Sequence, residues 1–169
     1  MRFPPITAER LDNGEEVDLQ QHFGGKVTLV TLSFQALGKQ QSDIWHEPFV
    51  DAFHLAAPQP IKGVQLVDLV FLEGYFFKLF KGLVSNGARK AAAPAVLPHS
   101  FIKFEPSTPD TEMFCHSLRV HNRTMGYAFL VDWNGEVKWT AHYQPTPEEC
   151  LSLVTVTDSL LRQLRTDRG

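Results

Sequence analysis

The sequence predicts an α/β protein: a mixed sheet flanked by helices, with an extra hairpin at the N-terminal end. Three observations carry this. Lys26–Leu32 and Val64–Phe71 are dominated by apolar and β-branched residues, the composition of strands covered on both faces. A stretch with helical spacing follows each of them. Two Asn-Gly pairs, Asn13-Gly14 and Asn134-Gly135, lie between strand-compatible runs and mark tight hairpin turns.

Taken in order, Leu11–Val17 forms the N-terminal hairpin around Asn13-Gly14, and Val17-Asp18-Leu19 leads through Gly24-Gly25 into the first central strand. Gly38–Leu55 places Ile44, Trp45, Phe49, Ala52 and Phe53 at helix-compatible positions. Pro48 lies within that run, and its missing N–H predicts a kink or a restart. In the second central strand, Val64–Phe71, Asp68 is the sole charge. Gly74–Ser85 reads as a helix. Residues 86–98 mix Gly, Ala, Pro and two basic residues and read as a surface loop. Ser100–Glu105 suits a strand, and Thr108-Pro109 supplies the cap and first-turn proline of a helix ending near Leu118. Gly126–Asp132 and Glu136–Thr140 flank Trp133-Asn134-Gly135 as a closing hairpin. Thr146-Pro147-Glu148-Glu149 combines an N-cap, a proline at N1 and a capping-box glutamate. The final helix that it opens carries a core-facing stripe of Cys150, Leu153, Val154, Thr157, Leu160, Leu161 and Leu164.

At 169 residues, 43% of them hydrophobic, the chain has the length and apolar content of a single domain, residues 1–169. Sixteen basic and nineteen acidic residues leave a formal charge of -3, so no overall positive field draws it to nucleic acid. Cys115 and Cys150 belong to no CxxC or zinc-type cluster and read as unbonded thiols, with Cys150 on the core stripe. Cys115-His116 with His121 lacks recognisable ligand spacing, so neither a metal nor any other cofactor is expected. No apolar run nears the roughly 18–20 residues that span a bilayer. Met1-Arg2 runs straight into Phe3-Pro4-Pro5 without a secretory signal or an Arg-rich transit peptide, and Asn122-Arg123-Thr124 reads as an unused glycosylation sequon.

Ile6-Thr7-Ala8, Leu11–Gly14, Val17-Asp18-Leu19 and Gly25–Val30, with the later Phe129–Gly135, resemble the opening and the last hairpin of membrane-linked thioredoxins and peroxiredoxins. The resemblance implies a thioredoxin-like fold. It also implies a site: those relatives carry Cys-Gly-Pro-Cys where the first central strand meets its helix, with the macrodipole lowering a thiol pKa. Here Leu37-Gly38-Lys39-Gln40 stands at that turn, and Gly126 stands at the position of their cis-proline. Thiol–disulfide exchange has no sulfur to use at this turn.

A fuller match runs along nearly the whole chain. It comprises Phe3-Pro4, Lys26–Val30, Trp45 with Pro48-Phe49, Phe76-Phe77-Lys78-Leu79-Phe80, and Asn122. It continues through Met125-Gly126-Tyr127, Leu130-Val131-Asp132, Gly135, Trp139 and Pro147-Glu148-Glu149. In order and spacing these resemble the "ATP-ten" family of mitochondrial ATP synthase assembly factors. The resemblance implies a chaperone without enzymatic activity on the matrix side of the inner membrane. Its implied partner is the membrane-embedded subunit a of the proton channel, with peripheral membrane contact. A thiol oxidoreductase or peroxiredoxin-like enzyme, and a copper carrier of the same fold, are the alternatives.

For the docking surface the sequence offers three groups. Phe76, Phe77 and Phe80, bordered by Lys78 and Lys81, give the Gly74–Ser85 helix an apolar arc wider than one core face needs. Trp45 and Phe49 lie on the helix after the altered turn. Lys39 and Gln40 sit near that helix start with no thiol to serve.

Overall fold

The computed structural model describes residues 1–74, 81–105 and 109–167. The N-terminal hairpin is β1 (Thr7–Arg10) and β2 (Glu16–Asp18), closed with Gly14 at φ 73°, the left-handed conformation for which glycine is suited. Asp18 then caps α1 (Leu19–Phe23) through the Gln20 amide. Next come β3 (Val27–Ser33), α2 (Ala36–Asp43), α3 (His46–Ala52) and β4 (Val64–Glu73). After them follow α4 (Lys81–Ala91), β5 (Ser100–Glu105) and α5 (Pro109–Ser117). The chain closes through β6 (Tyr127–Val131), β7 (Val137–His142) and α6 (Pro147–Asp167). The Thr146 hydroxyl accepts from the Glu149 amide while the Glu149 carboxylate accepts from the Thr146 amide, which is the expected capping box.

The strands form one mixed sheet in the order β2-β1-β5-β4-β3-β6-β7. The central pairs β3·β4 and β4·β5 are parallel, and the flanking pairs are antiparallel. Strand alternation divides the core into two layers. Val30, Leu32, Val67, Leu69 and Phe71 face α1, α5 and the N-terminal segment. There Phe3 is fully buried, meets Phe23, Phe114 and Phe129 edge to face, and donates its amide to Gly135 O. Val27, Leu29, Val64 and Leu66 face α3 and α6. On that second face the last turns of β3 and β4 carry Thr31, Ser33, Asp68 and Val70 in place of a continuous apolar surface.

One sequence expectation changes. Helical structure runs through Ala91, so the stretch read as a loop over residues 86–98 begins as helix, and only the segment after it is irregular before a 3-10 turn at Leu97–His99. The restart expected within Gly38–Leu55 is present: α2 and α3 are separate helices, and Pro48 sits in the first turn of α3, where its missing N–H costs nothing.

Candidate binding site

β3 ends at Ser33, and α2 begins three residues later, so Leu37-Gly38-Lys39-Gln40 occupies the first turn of α2. Leu37 is 55% exposed and Gln40 is exposed. Gly38 is buried against the Met125–Gly126 backbone, and the Gly126 amide donates to Gln41 Oε1 at 3.0 Å. The segment before β6 thus clamps the start of α2, where Gly126 was placed from the sequence. Among the described residues every peptide is trans. Neither cysteine belongs to this turn: Cys115 lies on α5 in the core layer that holds Phe3, where burial pushes its thiol up, and Cys150 sits in the first turn of α6.

Beneath this turn lies a polar cluster. Asp68, 2% exposed in the middle of β4, takes the Thr31 hydroxyl at 3.1 Å and the Lys39 ammonium at 3.1 Å. Thr31 has one hydroxyl proton, and it goes to Asp68. The 2.8 Å contact from Thr31 Oγ1 to His46 Nε2 is therefore donated by the imidazole, which fixes the Nε2–H tautomer. His46 Nδ1 then faces Asp43 at 3.6 Å. Burial, countered only in part by Asp68, holds His46 below its ordinary range, so it is neutral near pH 7. For Lys39, burial opposes the charge, but Asp68 and Asp43 outweigh it and hold the ammonium above its ordinary range. Lys39 also pairs directly with Asp43 one turn along α2. Asp43, His46 and Asp68 offer three ligand atoms within 4.8 Å of one another, but the Lys39 ammonium already bonds both carboxylates there. The cluster is a cation site occupied by the protein's own lysine.

The cluster forms one end of a groove of about 930 Å³ between α2–α3 and α4, floored by β4 and β5. Val50, Val70, Leu72, Val84, Val96 and Ile102 supply its apolar walls. Gly87, Ala88, Ala91 and Ala92 keep the α4 side low.

The sequence-based candidates scatter. Lys39 belongs to the cluster, 34% exposed, and Gln40 is exposed beside it. Trp45 and Phe49 are fully buried, which corrects their expected contact with a partner. Trp45 donates its indole N–H to Tyr143 O at 2.9 Å and packs on Trp139, and Phe49 packs on Phe53. Lys81 is exposed, pairs with Glu9 and lies over the Phe104 ring. Phe76, Phe77, Lys78 and Phe80 lie outside the described residues. Sequence reasoning missed Thr31, Asp43, His46 and Asp68. The available signal was Asp68 itself, because a lone carboxylate inside an apolar strand requires a buried partner.

This sheet and its sulfur-free turn define a thioredoxin-like protein. Solved structures bear out the fold. An uncharacterized conserved protein from Geobacillus kaustophilus is similar with a TM-score of 0.65 at 12% identity, over 96% of this chain and 82% of that one. A putative thiol:disulfide interchange protein DsbE from Chlorobium tepidum gives 0.58 at 16% identity, over 92% and 93%. BsSco, a member of the Sco family of cytochrome c oxidase assembly proteins, gives 0.56 at 17%, over 94% of each chain. Comparison with curated protein sequences gives no match. The chain belongs to the ATP10 protein family, whose profile matches residues 1–160, and with that family it has a role in ATP synthase assembly.

Proposed function

We propose that the protein is a non-enzymatic chaperone of mitochondrial ATP synthase assembly that holds the membrane-embedded subunit a before its incorporation, working on the matrix side of the inner membrane. The observation that carries this is the groove: an apolar channel opens beside the turn that in redox relatives holds the cysteines, and here the turn has no sulfur. Among the described residues no helix is long and apolar enough to cross a membrane, so contact with a membrane subunit falls to surfaces such as this one. Phe76, Phe77 and Phe80, placed by sequence between the groove residues Leu72 and Val84, are proposed as further apolar contacts, with Lys78, Lys81, Lys39 and Gln40 at the margins.

The test is site-specific crosslinking in isolated mitochondria from a photoreactive residue at Ala88, with identification of the captured chain. Capture of subunit a, lost when Ala92→Trp fills the groove in a chain that keeps the photoreactive residue at position 88, supports the reading. Capture that persists unchanged with the groove filled refutes it. An insulin-reduction assay should show no turnover above buffer.

A further inference from the structure

The groove is apolar along its length and acidic at one end. Among the described residues, Asp43, Glu47, Asp51 and Asp68 line that end, against one cation, Lys39. His46, the remaining basic side chain of the described lining, is neutral near pH 7. The cations of α4 do not correct the imbalance. Lys81, Arg89 and Lys90 are not among the lining residues, Lys81 pairs with Glu9, and the Arg89 guanidinium donates to Leu11 O. Lys39 bonds Asp43 and Asp68, which leaves Glu47 and Asp51, both exposed on α3, facing the groove without a described counter-ion.

On the reading that this groove receives the assembly partner, we infer that its occupant is an apolar segment bearing a cationic side chain, seated with the cation against Glu47 and Asp51. Apolar walls take the body of such a segment by burying its side chains. A carboxylate pair at the end of a low-dielectric groove rejects an acidic side chain there and fixes the register of a basic one. The small residues of α4 let a backbone approach closely. Lys39 has a second role in this arrangement: by neutralising the buried Asp68 it keeps the deep carboxylate from drawing the partner's cation into the core, so recognition is made by the exposed pair.

The probe is a fluorescent leucine–alanine peptide carrying one arginine, compared with the same peptide carrying glutamine or glutamate, titrated with the full chain. The arginine peptide should bind about tenfold more tightly than the glutamine one at low ionic strength, with the advantage shrinking as salt is raised. The double variant Glu47→Gln, Asp51→Asn, at exposed positions that leave folding intact by circular dichroism, should abolish that advantage without weakening the glutamine peptide. Equal binding of the arginine and glutamine peptides overturns the charge recognition and leaves the groove as an apolar site, so the assembly reading stands. A preference for arginine that survives the double variant also overturns it. If neither peptide binds, while crosslinking still captures subunit a, the occupant has different chemistry and the inference fails by itself.

Discussion

Gly38 and Gly126 meet backbone to backbone. A Cβ at Gly38 would lie 2.7 Å from the Met125 carbonyl, and one at Gly126 would run into the Gly38 carbonyl and come 2.9 Å from the Ser42 amide. Backbone cannot swing aside as a side-chain tip can. Gly38→Ala and Gly126→Ala should each cost about 1–3 kcal/mol in urea unfolding, the usual cost of overpacking. Gly87→Ala, in the middle of α4 with nothing within 4 Å, should gain about 0.5–1 kcal/mol. Equal effects at all three positions would contradict the close approach.

The second prediction concerns the buried ion pair. Lys39→Met leaves Asp68 buried with only the Thr31 hydroxyl, and should cost about 1–3 kcal/mol, less than for a fully buried pair because Lys39 reaches solvent. Lys39→Met combined with Asp68→Leu should recover much of that loss. A double-mutant cycle with no coupling would dismiss the pair as a stabilising contact.

Thr31→Val removes both the donor to Asp68 and the acceptor for His46 at nearly constant volume. It should cost about 1–3 kcal/mol, and the His46 Nε2–H proton should exchange faster by NMR.

Acid should destabilise the protein earlier than its carboxylates alone require. Burial, with Lys26 and Arg10 close by, pushes His22 down to about 4 from 6.5, and burial also lowers His99 and His46. A histidine held below its unfolded value binds fewer protons in the native state. Its stabilisation is complete above about pH 6.5 and is lost as pH falls from there to about 4. For His22 the loss should be on the order of 2 kcal/mol, and His22→Gln should flatten that part of a stability–pH curve. A flat wild-type curve over this window would refute it.

The thiols should differ in the native state. Cys115, buried among Phe3, Phe114 and Leu118, should react with a thiol reagent only on unfolding, and Cys115→Ser should cost about 1–3 kcal/mol. Cys150, only partly buried, should react in the folded protein, and Cys150→Ser should be near neutral. Protection of both thiols in the folded protein would contradict the partial exposure of Cys150.

The parts that could be read from the sequence were those with local causes. Asn13-Gly14 and Asn134-Gly135 carry their own turn chemistry, Thr146–Glu149 its own cap, and β3 and β4 their own apolar composition. Asn86-Gly87 misled because both are weak helix formers, yet α4 runs through them and sets its small side chains along the groove. Trp45 and Phe49 look identical in sequence whether they face a partner or the α3–α6 layer. The polar cluster was hidden because Asp68 finds Thr31 and Lys39 across the sheet, a pairing set by strand register and the placement of α2.

Phe3 ties the first residues to the last hairpin, through Phe129 and the carbonyl of Gly135. Those partners lie more than a hundred positions later in the chain, so as it emerges in order, its opening aromatic can meet Phe23 early but has a complete niche only once β6 and the last hairpin turn have been made. The nascent protein therefore cannot complete its core piecemeal. It should remain dependent on holdase protection, and sensitive to protease, until nearly the entire polypeptide is available, and then close in one late, concerted step.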